Sequence, residues 1–227
     1  MPYRQGLETA DRAQAQCGSA PSQHHNTEWL KRGFDVALAI AIVLAFLPLG
    51  LIVLCVLLAQ GRPLLIRHIR VGRHGRTFPC LKFRTMVVDA DAVLQQHLAE
   101  EPRARAEWDA TRKLRDDPRV TAVGRILRKS SLDEMPQLLN VLRGEMSLVG
   151  PRPIVPAEAR YYGNRMAIYE QVRPGMTGAW QVSGRNDTSY DHRVALDCEY
   201  VAERSFRRDL AILALTVPAV LNARGTY

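Results

Sequence analysis

Two adjacent carboxylates, Asp133 and Glu134, stand between a serine and a proline in "SLDEMPQ", residues 131–137. A carboxylate can attack phosphorus to form an acyl phosphate, and a second carboxylate can coordinate Mg²⁺ beside bound phosphates. The spacing also fits a structural role. Ser131 and Glu134 match a capping box, and Asp133 is an alternative N-cap that would place Pro136 in the first turn. Both interpretations put the carboxylates at the start of a helix, where an ionised carboxylate and phosphate are favoured.

Several basic residues stand in Gly/Pro loops or beside short strands rather than along long helical faces. Arginine can bind phosphate oxygens through two parallel N–H groups, whereas lysine acts as a point charge. Each residue alone fits a solvated surface charge, but together they predict a binding site for a polyphosphate. They are Lys82, Arg84, Arg128, Lys129, Arg152, Arg173 and Arg185.

The composition favours an anionic ligand as well. The 227-residue chain has a net charge of +8 and an isoelectric point near 9.7, as expected for partners such as nucleic acid, phosphorylated substrates or acidic membranes. Its four cysteines are scattered without a C-x-x-C pair, so we expect reduced thiols in a cytosolic setting. The sequence contains no Walker A, G-x-G-x-x-G or G-x-S-x-G segment and no His-rich metal motif.

One apolar run, "FDVALAIAIVLAFLPLGLIVLCVLLAQ" at residues 34–60, contains Asp35 as its only charge. About 20 apolar residues suffice to cross a bilayer, so insertion in lipid is favoured over a buried core helix. Pro48 lies near the centre and predicts a kink. Basic residues flank both ends, and the positive-inside rule assigns both flanks to the cytoplasmic face. We therefore favour a re-entrant helix–break–helix hairpin over a kinked helix that spans the bilayer.

The whole pattern predicts an α+β fold: an N-terminal re-entrant membrane helix hairpin and a compact, helix-rich catalytic domain with short strands and interfacial amphipathic helices. A turn at Gly72–Gly75 separates two predicted strands. The C-terminal "LAILALTVPAVL" is too short to span, so it either lies in the membrane interface or closes the core. We expect a disordered leader over residues 1–28, the membrane segment over 29–61 and the membrane-associated catalytic domain over 62–227.

Five segments of the chain together resemble the bacterial sugar transferase family, the monotopic polyprenyl-phosphate phosphoglycosyl transferases. They are "KRGFDVALA", "KFRTM", "LRKSSLDEMPQLLNVLRGEMSLVGPRP", "RPGMTGAWQVSGRN" and "ARGTY". The resemblance runs from about Lys31 to Tyr227 and is closest to the small exopolysaccharide-priming branch. Met135 stands where the family usually has Leu, and His68 stands where relatives often have Gln.

The resemblance implies transfer of a hexose 1-phosphate, galactose or glucose, from a UDP-sugar to undecaprenyl phosphate. UMP would be released and Mg²⁺ required, in the first membrane step of exopolysaccharide synthesis at the cytoplasmic face of the bacterial inner membrane. Asp133 would form a covalent aspartyl-phosphosugar intermediate, and Glu134 would be catalytic and hold the metal. Pro48 matches the proline at which the family's membrane helix breaks. The implied phosphate-binding residues are Lys82, Arg84, Arg128, Arg152 and Arg185.

Two alternatives belong to other functional classes. A membrane-tethered module that binds nucleic acid or anionic lipid would spread Lys and Arg along a helix or interleave them with aromatics, whereas these arginines occupy Gly/Pro loops. An ordinary glycosyltransferase would release UDP instead of UMP. The resemblance favours the donor, the lipid acceptor and the bilayer as partners, and no nucleic acid. Homodimer formation and contact with downstream glycosyltransferases are left open.

Overall fold

The structure, a computed structural model, describes residues 24–111, 114–183 and 190–221. This part of the chain is α+β, with two two-stranded sheets among many helices. The helices are α1 (His24–Ala59), α2 (Ala90–Glu100), α3 (Pro102–Thr111), α4 (Ala122–Lys129), α5 (Gln137–Arg143), α6 (Ala159–Tyr162), α7 (Met166–Tyr169), α8 (Ala179–Val182), α9 (Tyr190–Ala202) and α10 (Phe206–Leu221). The strands are β1 (Leu65–Val71), β2 (Thr77–Phe83), β3 (Ser147–Val149) and β4 (Gly175–Thr177).

Helix α1 is one uninterrupted element of 36 residues with Pro48 inside it. The predicted break is therefore not seen, because the backbone stays helical on both sides of the proline. A re-entrant hairpin in which the helix bends at Pro48 without breaking stays a prediction. The helix begins at His24, about five residues before the expected start of the membrane segment, and residues 1–23 of the expected leader lie outside the described part.

The middle of α1 has the apolar composition and the exposure expected of a membrane segment. The stretch from Glu28 to Ala59 is long and apolar enough to cross a membrane, and its apolar window has a mean hydropathy of 3.1 and is only 11% buried. Large apolar side chains there are exposed, such as Leu44 at 63% and Ile52 at 60%. A core helix of a soluble protein would bury such side chains, so this alternative is disfavoured.

The N-terminal end of α1 is held to the rest of the fold by polar contacts. Lys31 Nζ lies 2.6 Å from Asp209 Oδ2 on α10, and Ser147 Oγ donates to Asp35 Oδ2 at 2.7 Å. Arg32 donates to the carbonyl oxygens of Val141 at 2.7 Å and Leu142 at 3.1 Å. These carbonyls belong to the last turn of α5, where backbone carbonyls lack the usual amide partner four residues on; the Val141 oxygen also accepts from the Gly144 amide at 3.0 Å. The "KRGFD" segment therefore docks α1 on α5, β3 and α10 besides flanking the apolar run.

The C-terminal end of α1 packs on the β1–β2 hairpin and α4 through apolar side chains. Val53 and Leu57 are buried in a cluster with Phe83 from β2 and Leu127 from α4. Arg84, just beyond β2, donates from Nη2 to the Gln60 carbonyl oxygen at 3.0 Å. Both ends of α1 thus contact one domain while the middle is exposed.

The β1–β2 hairpin is joined to α5 by one buried amide side chain. Strands β1 and β2 pair in antiparallel fashion. Along the other edge of β2, Asn140 Oδ1 accepts from the Leu81 amide at 3.0 Å, and its Nδ2 donates to the Pro79 carbonyl at 2.8 Å. Asn140 is fully buried, so these bonds replace those that a third strand would form. They fix β2, and hence Lys82, relative to α5.

Strands β3 and β4 form a short parallel pair that brings "SLVGPRP" beside "RPGMTG". The two segments approach so closely at Gly150 that a Cβ there would lie 2.6 Å from the Arg173 carbonyl oxygen. A Cβ on Gly175 would lie 2.1 Å from the Gly150 nitrogen. Only glycine allows this approach. The pair lies in the main core, which includes Met146, Leu148 and residues of α9 and α10.

Candidate active site

The two carboxylates lie in a short 3₁₀ turn, Leu132–Glu134, between α4 and α5. Ser131 precedes the turn in the left-handed region (φ 56°) and its side chain makes no capping hydrogen bond. Helix α5 begins at Gln137, with Pro136 as its N-cap residue. The capping-box prediction is therefore wrong, and so is the alternative in which Asp133 caps the helix. A left-handed serine costs free energy, and such strain is often kept at functional sites.

Lys82 on β2 faces both carboxylates. Its Nζ lies 2.6 Å from Glu134 Oε1 and 4.0 Å from Asp133 Oδ2. The strand and the turn thus bring together three of the residues predicted for the site, although Lys82 and Glu134 are 52 positions apart in the chain. A lysine between two carboxylates reduces their mutual repulsion.

Asp133 is mostly buried, with a side-chain exposure of 12%, whereas the Glu134 side chain is 37% exposed. Burial raises the pKa of Asp133 to about 6, and the Glu134 charge adds to this, while Lys82 and Arg128 oppose it. Burial dominates because a carboxylate loses its hydration there. Asp133 is still largely ionised at neutral pH, and its poor solvation makes it a better nucleophile than an exposed aspartate.

Arg128, at the end of α4, lies near Asp133 and acts on the pKa of its carboxyl group. Its Nε donates to Thr85 Oγ1 at 2.9 Å. The start of α4 packs on the backbone of the same threonine so closely that a Cβ on Gly124 would lie 1.9 Å from the Thr85 carbonyl oxygen. The "KFRT" segment and α4 thereby position Arg128 near Asp133 and Glu134, which are called the dyad below.

The other predicted phosphate ligands occupy different places. Arg84 is buried at 4% exposure and binds the end of α1 through Gln60. Arg152 is exposed, and its guanidinium carbon lies 5.1 Å from the centroid of the Trp180 ring. Arg185 lies outside the described residues. Phosphate binding by all of them stays a prediction, and contact with the dyad is seen for Lys82.

One face of the β1–β2 hairpin extends the basic character of the site. Cross-strand partners share a face, and the pairs Lys82–Ile66, Cys80–His68 and Phe78–Arg70 therefore place Lys82, His68 and Arg70 on one side. Burial, then the charges of Arg70 and Lys82, lower the pKa of His68, so its imidazole is neutral at physiological pH. A neutral histidine can donate a hydrogen bond there without adding charge.

An apolar cavity of about 270 Å³ opens beside the dyad. Its walls come from the middle of α1, from Leu65 and Phe83 on the hairpin, and from Leu132, Met135 and Pro136 around the dyad. Leu132 and Met135 directly flank the two carboxylates in sequence. The charged site therefore adjoins an apolar space that is walled partly by the membrane helix, an arrangement suited to an amphiphile with an anionic head.

The two carboxylates of the site are oxygen ligands of the kind that Mg²⁺ binds. The described residues hold no group of three or more His, Cys, Asp or Glu side chains that could bind a metal. Mg²⁺ does not require one, because it commonly binds through one or two carboxylates, substrate phosphates and water. The carboxylates of Asp133 and Glu134, which both lie within 4.0 Å of Lys82 Nζ, would fit this mode together with the substrate phosphates.

Several residues of the site were not anticipated from the sequence. Asn140, Thr85 and Gly124 position Lys82 and Arg128 through contacts between distant segments. Arg193 shares the Trp180 ring with Arg152. A local signal existed only for Asn140, which is the polar residue inside the apolar run "LLNVL".

Comparison with known proteins reveals a clear family relationship. A family model described as bacterial sugar transferase matches residues 26–223. The chain is 52% identical over 198 residues to the exopolysaccharide production protein ExoY of Sinorhizobium fredii, covering 87% of this chain and 88% of that protein.

Two further relatives carry more specific names. The undecaprenyl-phosphate galactose phosphotransferase of Salmonella typhimurium is 50% identical over 202 residues, covering 89% of this chain and 42% of that protein. The UDP-glucose:undecaprenyl-phosphate glucose-1-phosphate transferase of Caulobacter vibrioides is 42% identical over 206 residues, covering 87% and 72%. The chain thus spans most of the ExoY protein but less than half of the Salmonella one.

Proposed function

Because the chain belongs to the bacterial sugar transferase family, we propose that it transfers a hexose 1-phosphate from a UDP-sugar to undecaprenyl phosphate and releases UMP. The names of the Salmonella and Caulobacter relatives support the lipid acceptor and the choice between galactose and glucose. The name of the Sinorhizobium relative supports a role in exopolysaccharide synthesis. One observation carries the proposal: a buried carboxylate, Asp133, lies 4.0 Å from Lys82 and directly follows Leu132, which lines an apolar cavity.

In the first step, an Asp133 carboxylate oxygen attacks the sugar-bearing phosphorus of the donor. A new O–P bond forms an aspartyl phosphosugar, and the P–O bond to the nucleoside phosphate breaks, so that UMP leaves with the bonding electron pair. Lys82 stabilises the charge on the transferring phosphate, and Arg128 supports it from α4. The burial of Asp133 excludes water that would otherwise hydrolyse the intermediate.

In the second step, a phosphate oxygen of the polyprenyl phosphate attacks the same phosphorus. The acyl phosphate bond breaks, the lipid carries the diphosphate-linked sugar away, and Asp133 returns to its free carboxylate. The apolar cavity next to the dyad supports this step, because it can hold the isoprenoid chain while the phosphate head reaches the charged site.

Magnesium, when bound, would neutralise phosphate charge and orient the diphosphate. Asp133 and Glu134 are the residues that would hold it, with Glu134 as the principal ligand because Asp133 supplies the nucleophile. Lys82 is paired with Glu134 in this structure, and it would supply a positive charge to the substrate phosphates if Glu134 held the metal.

We place the protein at the cytoplasmic face of the inner membrane. Helix α1 is long and apolar enough for insertion, and both its ends contact the one catalytic domain. A bend at Pro48 that returns the helix to the same face would account for this arrangement, since a straight span would carry one end away to the other side.

The function is tested with full-length protein in lipid nanodiscs, supplied with undecaprenyl phosphate, Mg²⁺ and a panel of UDP-sugars. UMP release with UDP-galactose or UDP-glucose is the expected result, and the panel identifies the sugar. UDP release would instead indicate an ordinary glycosyltransferase. No released nucleotide with any UDP-sugar would favour the membrane-tethered binding module.

A further inference from the structure

Two arginines share one buried tryptophan in the described structure. The guanidinium carbon atoms of Arg152 and Arg193 lie 5.1 and 5.0 Å from the centroid of the Trp180 ring. Trp180 is only 4% exposed. Its Nε1 and the Nε of Arg193 are both buried and have no hydrogen-bond partner among the described residues. Two cations on one ring, with unpaired donors, form a site with a deficit of negative charge.

A second Arg–Trp contact in the protein shows what a purely structural pair looks like. Arg119 lies 5.1 Å from the Trp108 ring centroid and is neutralised by Asp117 at 2.6 Å. Among the carboxylates of residues 24–111, 114–183 and 190–221, none forms an ion pair with the two arginines at Trp180.

The buried carboxyl group of Asp197 does not form an ion pair with either arginine at Trp180. It accepts a hydrogen bond from the Tyr162 hydroxyl at 2.7 Å. Burial raises its pKa to about 7, although Arg152 lowers it. One of its oxygens is thus bonded to Tyr162, and the raised pKa makes the group a weaker counter-charge for two guanidinium groups.

The loop that carries Arg152 is tied to the hairpin that carries Lys82. The Val71 amide at the end of β1 donates to the Ile154 carbonyl oxygen at 2.9 Å. The Tyr169 hydroxyl lies 2.9 Å from the Val71 carbonyl oxygen and 3.1 Å from that of Arg152. The arginine pair and Lys82 are therefore held by the same hairpin.

We propose that Arg152 and Arg193, held on Trp180, bind the anionic nucleotide part of the donor, the part that leaves as UMP. Arginine binds phosphate oxygens through two parallel N–H groups, and contact with the ring limits the motion of each side chain before the ligand arrives. This inference rests on the proposed function. It adds Arg193 to the binding site as a donor-binding residue on α9, a helix that contributes nothing to the dyad.

The test measures UMP binding and donor kinetics for Arg193→Gln and Arg152→Gln in the full chain. UMP affinity should fall about tenfold or more, and the KM for the UDP-sugar should rise by a similar factor, because each loses a charge-assisted phosphate contact. The kcat should change less than threefold, because these residues lie outside the reacting centre. Arg193→Lys should recover part of the affinity, since it restores the charge without the second N–H group.

Arg160→Gln is the matched control. Arg160 also lies over an aromatic ring, 4.8 Å from the Tyr161 centroid, but it is exposed and hydrogen-bonded to that tyrosine's hydroxyl. Its UMP affinity and donor KM should equal those of the wild type. Unchanged UMP affinity in a folded Arg193→Gln protein, alongside normal UMP release by the wild type, would overturn the inference and leave the proposed function standing.

A measurement on the wild type covers the case in which the variants do not fold. Phenylglyoxal modifies arginine side chains, and mass spectrometry locates the modified residues. UMP should protect Arg193 and leave Arg160 reactive. Equal modification of Arg193 with and without saturating UMP would exclude it from the nucleotide site.

Discussion

The ammonium group of Lys82 lies 2.6 Å from Glu134 Oε1, while the neighbouring carboxylate of Asp133 is 4.0 Å away. The lysine thus neutralises the more exposed carboxylate and leaves the buried one with a weaker counter-charge. This division separates the two members of the dyad by environment. This difference supports the proposed roles, in which the poorly solvated Asp133 is the nucleophile and the accessible Glu134 would hold the metal.

Replacement of Lys82 tests this arrangement. Lys82→Ala should lower kcat/KM by about 10- to 100-fold, because a charged contact with the transferring phosphate is lost. Lys82 also lowers the pKa of Asp133, so the pH at which activity reaches half its maximum should move upwards in the variant. Arg125→Ala, which removes an exposed basic side chain from α4, is the control and should keep wild-type kinetics. Full activity in the Lys82→Ala protein would place the transferring phosphate elsewhere.

The raised pKa of Asp133 predicts a pH dependence for the covalent step. The attacking form is the carboxylate, and its folded-state pKa is about 6 instead of 3.8. At saturating donor, the rate of adduct formation should therefore rise from about pH 5 to about pH 7 and become constant above, as a single titration spans about one unit on each side of its pKa. Rapid-quench measurements with labelled UDP-sugar and no acceptor would determine it. A rate that stays flat across this range would show that Asp133 titrates as an ordinary exposed aspartate.

The raised pKa of Asp133 also predicts that the ionised side chain lowers the stability of the folded protein. The folded state holds a proton on Asp133 more tightly than the unfolded state does, so the wild type loses stability as the pH rises from about 4 to about 7. Asp133→Asn has no such loss, and its free energy of unfolding should exceed that of the wild type by roughly 1–3 kcal/mol at about pH 8. The difference should shrink at about pH 5. Thermal melts in detergent at both pH values give the comparison, and a variant less stable than the wild type at the higher pH would contradict the pKa assignment.

The sequence predicted the features that depend on local pattern. The apolar run became α1, and the two strands around the Gly72–Gly75 turn became the β1–β2 hairpin. The dyad was expected at the start of a helix and lies instead in a 3₁₀ turn that ends before α5. The capping box failed because Ser131 is left-handed and α5 starts only after Pro136. Pattern alone predicted a break at Pro48, but a proline can bend a helix without ending it.

Contacts between residues that are far apart in the chain could not be predicted from local sequence patterns. Lys31 resembles an ordinary basic flank of a membrane helix, yet it binds Asp209, 178 positions away. The bonds of Asn140 to the edge of β2 join residues 59 and 61 positions apart. Periodicity reports which side of an element is apolar, and it does not report which distant backbone group a buried side chain will meet. The placing of Lys82 beside the dyad therefore required the structure or the family resemblance.

The topology of α1 gives a further prediction. If the helix bends at Pro48 and returns, single cysteines placed at Lys31 and Arg67 should both be protected from an impermeant thiol reagent in intact cells. Pro48→Leu should straighten the helix, and a straight apolar helix of about 27 residues is long enough to cross the ~30 Å hydrocarbon core. One of the two cysteines should then become accessible from outside. Labelling of either position in the wild-type background would show that α1 spans the membrane.

Replacing Asp133 or Glu134 with its amide should impair adduct formation in two different ways. Asp133→Asn keeps the shape of the side chain but has no charge with which to attack phosphorus, so no hexose-phosphate adduct should form with donor. Glu134→Gln keeps the nucleophile, so it should still form adduct, but orders of magnitude more slowly and with a weakened dependence on Mg²⁺ concentration.

Mass spectrometry of protein quenched with donor and without acceptor distinguishes the two variants, and Glu100→Gln supplies a matched control. Glu100 is exposed at the end of α2 and accepts a hydrogen bond from Gln96 at 2.9 Å, so its amide variant should form adduct at the wild-type rate. Because Asp133 and Glu134 make no capping bond that an amide would preserve or lose, both dyad variants should fold and insert normally. An adduct that persists in Asp133→Asn would assign the nucleophile to another residue, and normal turnover in Glu134→Gln would remove that carboxylate from the metal site.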